Sequence, residues 1–190
     1  MSVEIEQKYI ISISLDELKA TLENQGINVT EQKLIDIRYN RTTNAGGGMD
    51  FERIRTSTVN GLTTTFHTRK FTDKNGVRQE IEAEIPLRLA YPEVSDKQVA
   101  YLRKTRYSSS QTVIFKDQPL ELHYDIDVID GSSTIFCEIE VIKETNLREQ
   151  GLHVLFDQLM QKLDPLATPT EVSMLSLSQE IILNDEKYLL

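Results

Sequence analysis

Tryptophan is absent from this chain of 190 residues, cysteine occurs once, at Cys137, and basic residues are outnumbered, 21 Lys and Arg against 30 Asp and Glu. A single cysteine excludes an internal disulfide and fits a reducing compartment. Set in a strand pattern beside Glu138, it reads as a buried structural thiol rather than a nucleophile. The net charge of -9 argues against nucleic acid as a partner, because neutralising phosphates needs a basic surface. It leaves room for a small polyphosphate, since a local Lys and Arg cluster, bridged by a divalent metal, can bind an anion inside an acidic protein. No apolar run is long enough to cross a bilayer. The first residues form a charged strand pattern without the basic and apolar segments of a secretory leader. The expectation is therefore a cytoplasmic protein with no membrane partner. With 39% hydrophobic residues, residues 1–190 read as one domain able to bury a core without cross-links. Monomer or homodimer stays open.

What the chain has in abundance is charge at two-residue spacing. In VEIEQKY, Glu4, Glu6 and Lys8 alternate with Val3, Ile5 and Tyr9. Residues two apart in a strand share a face, so the charged groups point one way and the apolar groups the other. Arg53 and Arg55 flank Ile54, Glu80, Glu82 and Glu84 alternate with Ile81, Ala83 and Ile85, and Lys104 and Arg106 flank Thr105. Asp125 and Asp127 alternate with Tyr124, Ile126 and Val128, and Glu138 and Glu140 bracket Ile139. Six such alternations imply a charged surface assembled from many strands, and the chemistry is expected there.

Strand signals dominate the remaining pattern. After a strand over about 2–13, Ser14 and Glu17 make a capping box for a helix with Leu15, Leu18 and Leu22 at helical spacing, stopped at Gly26. A strand at about 34–41 leads into Thr42–Asp50, where Gly46, Gly47 and Gly48 lack both the lysine and the strand–loop–helix context of a phosphate-cradling loop. Asn60-Gly61 marks a two-residue hairpin, Asp73–Gly76 a longer turn, and Pro86 ends a third strand. Ser95 with Gln98 predicts a short helix to about Arg103. Strands follow at roughly 104–116, 119–129 and 133–143, with Asp130-Gly131 turning between the last two. A longer helix spans about Thr145 to Leu163, and Asp164-Pro165 stops it. The tail past Pro169 reads as a short strand or helix around Val172–Leu177.

About eight hairpin-joined strands with two or three helices make an α+β chain whose meander can close into an antiparallel β-barrel, which removes exposed edges. The charged faces then either lie in water over a half-exposed sheet or line a barrel lumen. Like charges crowded on one face repel, and burial is costly unless opposite charges or ligands compensate. Segregated cationic and anionic patches are what a metal–polyphosphate complex requires, Lys and Arg taking phosphate oxygens and carboxylates the metal.

Glu4-x-Glu6-x-Lys8, Arg53-x-Arg55, Arg78-Gln79-Glu80-Ile81-Glu82, Lys104-x-Arg106, Asp127 with Asp130-Gly131, and Glu138-x-Glu140 stand in the order found in the CYTH, or triphosphate tunnel metalloenzyme, superfamily, which the chain resembles over roughly residues 3–141. The resemblance implies a closed eight-stranded antiparallel barrel, flanked by helices, whose charged lumen binds a triphosphate. It implies Mg²⁺ or Mn²⁺ held by Glu4, Glu6, Glu138 and Glu140, with Glu80 and Glu82 joining them or orienting basic side chains and Asp127 as a further metal ligand. Those four glutamates and Lys8 would be catalytic. Lys8, Arg53, Arg55, Lys70, Arg78, Lys104 and Arg106 would hold the phosphates, Lys70 being preferred to the adjacent Arg69. Glu171-Val172-Ser173-Met174 departs from the family's last segment. His67, His123 and His153 read as structural or surface residues, and Tyr39 as an ordinary barrel tyrosine.

The resemblance leaves three functions open: metal-dependent hydrolysis of an inorganic or organic triphosphate, a class IV adenylyl cyclase, and a non-catalytic polyphosphate-binding module. A cyclase must also seat adenine and ribose, and no segment is assignable to that. Paired glutamates at both ends of the pattern argue against anion binding alone.

Overall fold

The computed structural model describes residues 3–43, 49–72, 78–89, 100–143, 149–171 and 174; at several of these, Glu4, Tyr39 and Arg78 among them, it describes the backbone alone. The expected capping box at Ser95 and Gln98, the triple glycine at 46–48 and the turn at 73–76 lie outside the described residues. The elements are β1 (Val3–Ile11), α1 (Leu15–Asn24), β2 (Thr30–Thr43), β3 (Met49–Val59), β4 (Leu62–Thr72), β5 (Arg78–Glu84), β6 (Ala100–Phe115), β7 (Gln118–Ile129), β8 (Ile135–Lys143), α2 (Glu149–Leu163) and β9 (Thr168–Pro169). Among the described residues no helix is long and apolar enough to cross a membrane. The chain divides into two compact units, 1–31 with 105–172, and 32–104 with 173–190.

In the first unit the strand order is β6-β7-β8-β1-β9. The period-two pattern sorts each strand into an apolar and a charged face. Ile5, Tyr9, Ile11, Leu122, Tyr124, Ile126, Cys137, Ile139 and Val141 form a core with Leu18 and Leu22 of α1 and Leu152, Phe156, Met160 and Leu163 of α2. Each fully buried large side chain contributes about 1.5–3 kcal/mol. α1 begins at Ser14, whose hydroxyl accepts from the Glu17 amide while the Glu17 carboxylate accepts from the Ser14 amide. Two polar contacts tie the helical layer to β1. Tyr9 donates to Asp157 at 2.8 Å, and Asp164 accepts from the Ser12 amide at 2.6 Å, the Ser12 hydroxyl at 2.7 Å and the Leu166 amide at 3.0 Å.

In the second unit the order is β5-β4-β3-β2. Asn60 and Gly61 both take positive φ, 50° and 79°, as the primed hairpin turn demands. That turn sets the β3–β4 register, with Val59 opposite Leu62 and Arg53 opposite Thr68. Ile37 and Ile54 face each other across β2 and β3 and are buried.

Two expectations are corrected. Among the described residues the pairings give an open strand order ending in β5 and β9, and no pairing closes a barrel of eight. Alternation dictates which face a side chain takes, but not whether the outermost strands pair. Here Thr168–Pro169 pairs with Ile10 and Tyr9 on β1, and proline, lacking an N–H, suits an edge. Ala100–Arg103 is strand rather than helix: Leu102 and Lys104 are buried and Arg103 exposed, so sheet contacts override the local helix signal. α2 is described from Glu149; the expected start at Thr145 lies outside the described residues.

Candidate functional site

In the first unit, Lys8 lies opposite Glu138 and Glu6 opposite Glu140 across the β1–β8 pair. On β7, Asp125 stands opposite Glu138 and His123 opposite Glu140. Strand periodicity therefore gathers Glu6, Lys8, Glu138, Glu140, His123, Asp125 and Asp127 on the face turned from the core. Lys8 Nζ is 3.0 Å from Glu138 Oε1. Arg106, from β6, is the hub of this face. Its Nε donates to Asp127 Oδ1 at 2.8 Å and its Nη2 to Asp127 Oδ2 at 2.6 Å; Nη1 donates to Asp125, and Nη2 also reaches Glu138 Oε2 at 3.5 Å. Ser108 donates to the second Asp125 oxygen at 2.6 Å. Burial alone would lower the Arg106 pKa, but Asp127, by hydrogen bond and charge, with Asp125 and Glu138, raises it. Arg106 stays charged and fixed.

Both Asp127 oxygens are taken up by Arg106, so Asp127 orients a basic side chain in this arrangement. Carboxylate oxygens suit Mg²⁺ or Mn²⁺, and on this face the directly opposed Glu6 and Glu140 bring two carboxylates together. Among the described residues no group of three or more His, Cys, Asp or Glu is placed to hold a metal ion; the Glu4 side chain lies outside them. Burial, then the charges of Asp125, Glu138 and Asp127, push the Cys137 thiol up, as a structural thiol requires.

In the second unit the charged face is built on four strands. Arg55 lies opposite Asp36 and Arg38 opposite Arg53 across β2 and β3. Thr68 stands opposite Arg53 on β4, and Glu82 opposite Thr68 with Glu80 opposite Lys70 on β5. Asp36 is fully buried and accepts from Arg55 Nε and Nη2, both at 2.7 Å. Arg53 Nη1 and Arg38 Nη2 approach Asp36 Oδ2 at 4.0 and 3.9 Å, and Arg38 stacks over Phe51 at 4.9 Å. Burial would raise the Asp36 carboxyl, yet the charge and hydrogen bonds of Arg55, with the charges of Arg53 and Lys104, hold it well below the usual carboxylate range.

Arg53 donates to Thr68 at 3.2 Å and lies 3.6 Å from both Glu80 and Glu82. Burial, with Arg55 beside it, lowers its pKa to about 10. Its Nε is buried with no hydrogen-bond partner among the described residues. Such an orphaned donor, amid cations, fits a phosphate oxygen. Lys70 pairs with Glu80 at 2.6 Å on this face, whereas Arg69 is exposed on the other, over Phe71 at 5.0 Å. Glu80 and Glu82 thus orient Lys70 and Arg53. Lys104 is buried, its Nζ 3.8 Å from Met174 Sδ. His67 pairs with Glu52 at 2.8 Å on the opposite face of the sheet.

Sequence reasoning does not single out Asp36, Arg38, Thr68, Asp125 or Ser108 as site residues. Asp36-x-Arg38 and Asp125-x-Asp127 carry the same two-residue charge spacing as the chosen motifs, so the signal for three of them was present. Thr68 and Ser108 have none beyond parity.

No protein-family model and no curated protein matches the sequence. Solved structures do match in fold. A protein from Pyrococcus horikoshii OT3 aligns with a TM-score of 0.61 at 20% identity, covering 94% of this chain and 99% of its own. A putative adenylyl cyclase from Hippeastrum, described as having a dominant triphosphatase activity, gives 0.56 at 13% identity over 94% and 96%. A putative adenylate cyclase from Bacillus halodurans gives 0.52 at 15% over 95% and 97%. The chain shares the fold of these proteins along nearly its whole length.

Proposed function

We propose that the protein hydrolyses a small triphosphate with the help of a divalent metal ion. The observation that carries this reading is the cation cluster of the second unit, in which Arg38, Arg53 and Arg55 converge on a buried carboxylate, Asp36, and the Arg53 Nε has no hydrogen-bond partner among the described residues. Such a cluster offers its charge to an external anion bearing several oxygens. The first unit, by itself, supplies the acidic face: Glu6 and Glu140, with Glu4 and Glu138, are the proposed ligands of Mg²⁺ or Mn²⁺.

Lys8 would stabilise charge on phosphoryl oxygens as it develops, while Arg106, bonded to Asp127 and Asp125, holds the acidic face in place. Arg53, Arg55, Lys70, Arg78 and Lys104 neutralise and orient the phosphate chain, which is most of what phosphoryl transfer asks of a protein. A bound divalent ion would polarise a phosphoryl oxygen and lower the pKa of an attacking water.

Inorganic triphosphate needs only these charges and is the economical substrate. The second reading, a cyclase converting ATP to cyclic AMP, draws support from the names of the Hippeastrum and Bacillus halodurans structures. Incubation with Mg²⁺ or Mn²⁺ and either tripolyphosphate or ATP, followed by assay of phosphate, pyrophosphate and cyclic AMP, separates the two.

A further inference from the structure

We propose that Asp36 is a positioning residue: it fixes the Arg55 guanidinium, so that this cation meets a polyphosphate already set beside Arg38 and Arg53. The inference rests on the reading of that cluster as the phosphate-binding one. Counting charge alone gives Asp36 the opposite role, since a carboxylate among cations subtracts from their pull on an anion. The geometry argues otherwise. Arg38 and Arg53 stand directly opposite each other, and Arg55 is two residues along the same strand face, so three guanidinium groups of one sign are crowded together. Asp36 is the fully buried group at which they converge, taking two 2.7 Å bonds from Arg55 and lying within 4.0 Å of Arg38 and Arg53.

Two bonds to one guanidinium fix its plane as well as its place. Without the carboxylate, these arginines would repel one another and turn toward water, and a binding anion would have to reassemble them at an entropic cost. Preset, they bind without that cost.

The test is calorimetric titration of the intact protein with sodium tripolyphosphate in metal-free buffer, comparing wild type, Asp36→Asn, Arg55→Gln and the double variant. The expected result is that Asp36→Asn weakens binding by about tenfold or more although it makes the cluster more positive. The double variant should bind no worse than the weaker single one, because Asp36 acts through Arg55. The double variant replaces a buried ion pair by two amides, so it is the variant to read if Asp36→Asn alone does not fold. Affinity equal to that of Arg55→Gln then supports the role, and a further loss overturns it. Unchanged or tighter binding by Asp36→Asn, or losses that add in the double variant, refutes positioning while the phosphate-binding reading stands. A wild-type protein that does not bind tripolyphosphate refutes both.

Discussion

Lys8 and Glu138 face each other across the β1–β8 pair, with Lys8 Nζ 3.0 Å from Glu138 Oε1. Arg106 approaches the other oxygen of the same carboxylate at 3.5 Å. Glu138 is thus held between two cations that a metal ion would have to displace. Glu138→Gln is expected to lower metal-dependent turnover by on the order of 10²-fold. Because it also removes two charge-assisted contacts, it should cost about 1–2 kcal/mol of stability. Phosphate-release kinetics at several metal concentrations, with denaturant unfolding alongside, check both parts; full activity at low metal would remove Glu138 from the ligand set.

Arg53→Ala should raise the KM for tripolyphosphate by about tenfold or more, and raise that for pyrophosphate less, since each contact counts only where a phosphate is present to receive it. Steady-state kinetics on the two substrates give the answer. Equal effects would mean that Arg53 does not read chain length.

The acid limb of the stability curve should depend on Asp164. Burial acts to raise its pKa, but hydrogen bonds from the Ser12 hydroxyl and the Ser12, Leu166 and Ile13 amides outweigh it, so the folded value is lowered. A carboxyl with a lowered folded pKa contributes stability that is fully present above the unfolded value, about 3.9, and is lost as pH falls through the folded value. Asp164→Asn should therefore lower Tm at neutral pH and flatten its fall below about pH 4. Thermal melts between pH 2 and 7 measure this, and an unchanged acid limb would count against it.

Gly61→Ala should cost about 1 kcal/mol. The φ of 79° is unfavourable for an L side chain, and a Cβ there meets nothing within 4 Å, so the whole cost is backbone strain. Chemical denaturation measures it, and a neutral result would contradict the turn geometry.

Most strands and the sorting of their two faces were legible because the charged residues keep one parity, as in VEIEQKY and CEIEV. The hairpin at Asn60-Gly61 and the capping box at Ser14 and Glu17 were legible for local reasons. What escaped depends on partners far apart in the chain. The β9 pairing with Tyr9 and Ile10, the strand at Ala100–Arg103 and the burial of Asp36 beneath Arg55 each need another strand to exist. The closed barrel was an inference from strand count, and strand count does not decide how the outermost strands end. Within the site, spacing placed charges on a face, but the division of labour among carboxylates came from distances. Asp127, Glu80 and Glu82 bind arginine, lysine and threonine side chains, a fact that parity alone cannot supply.

The central claim is tested most directly by product analysis of the purified protein with Mg²⁺ or Mn²⁺, on tripolyphosphate and on ATP in parallel. The account predicts phosphate released from tripolyphosphate, no release after chelation of the metal, and little or no cyclic AMP from ATP. Cyclic AMP and pyrophosphate formed from ATP faster than tripolyphosphate is hydrolysed would contradict it.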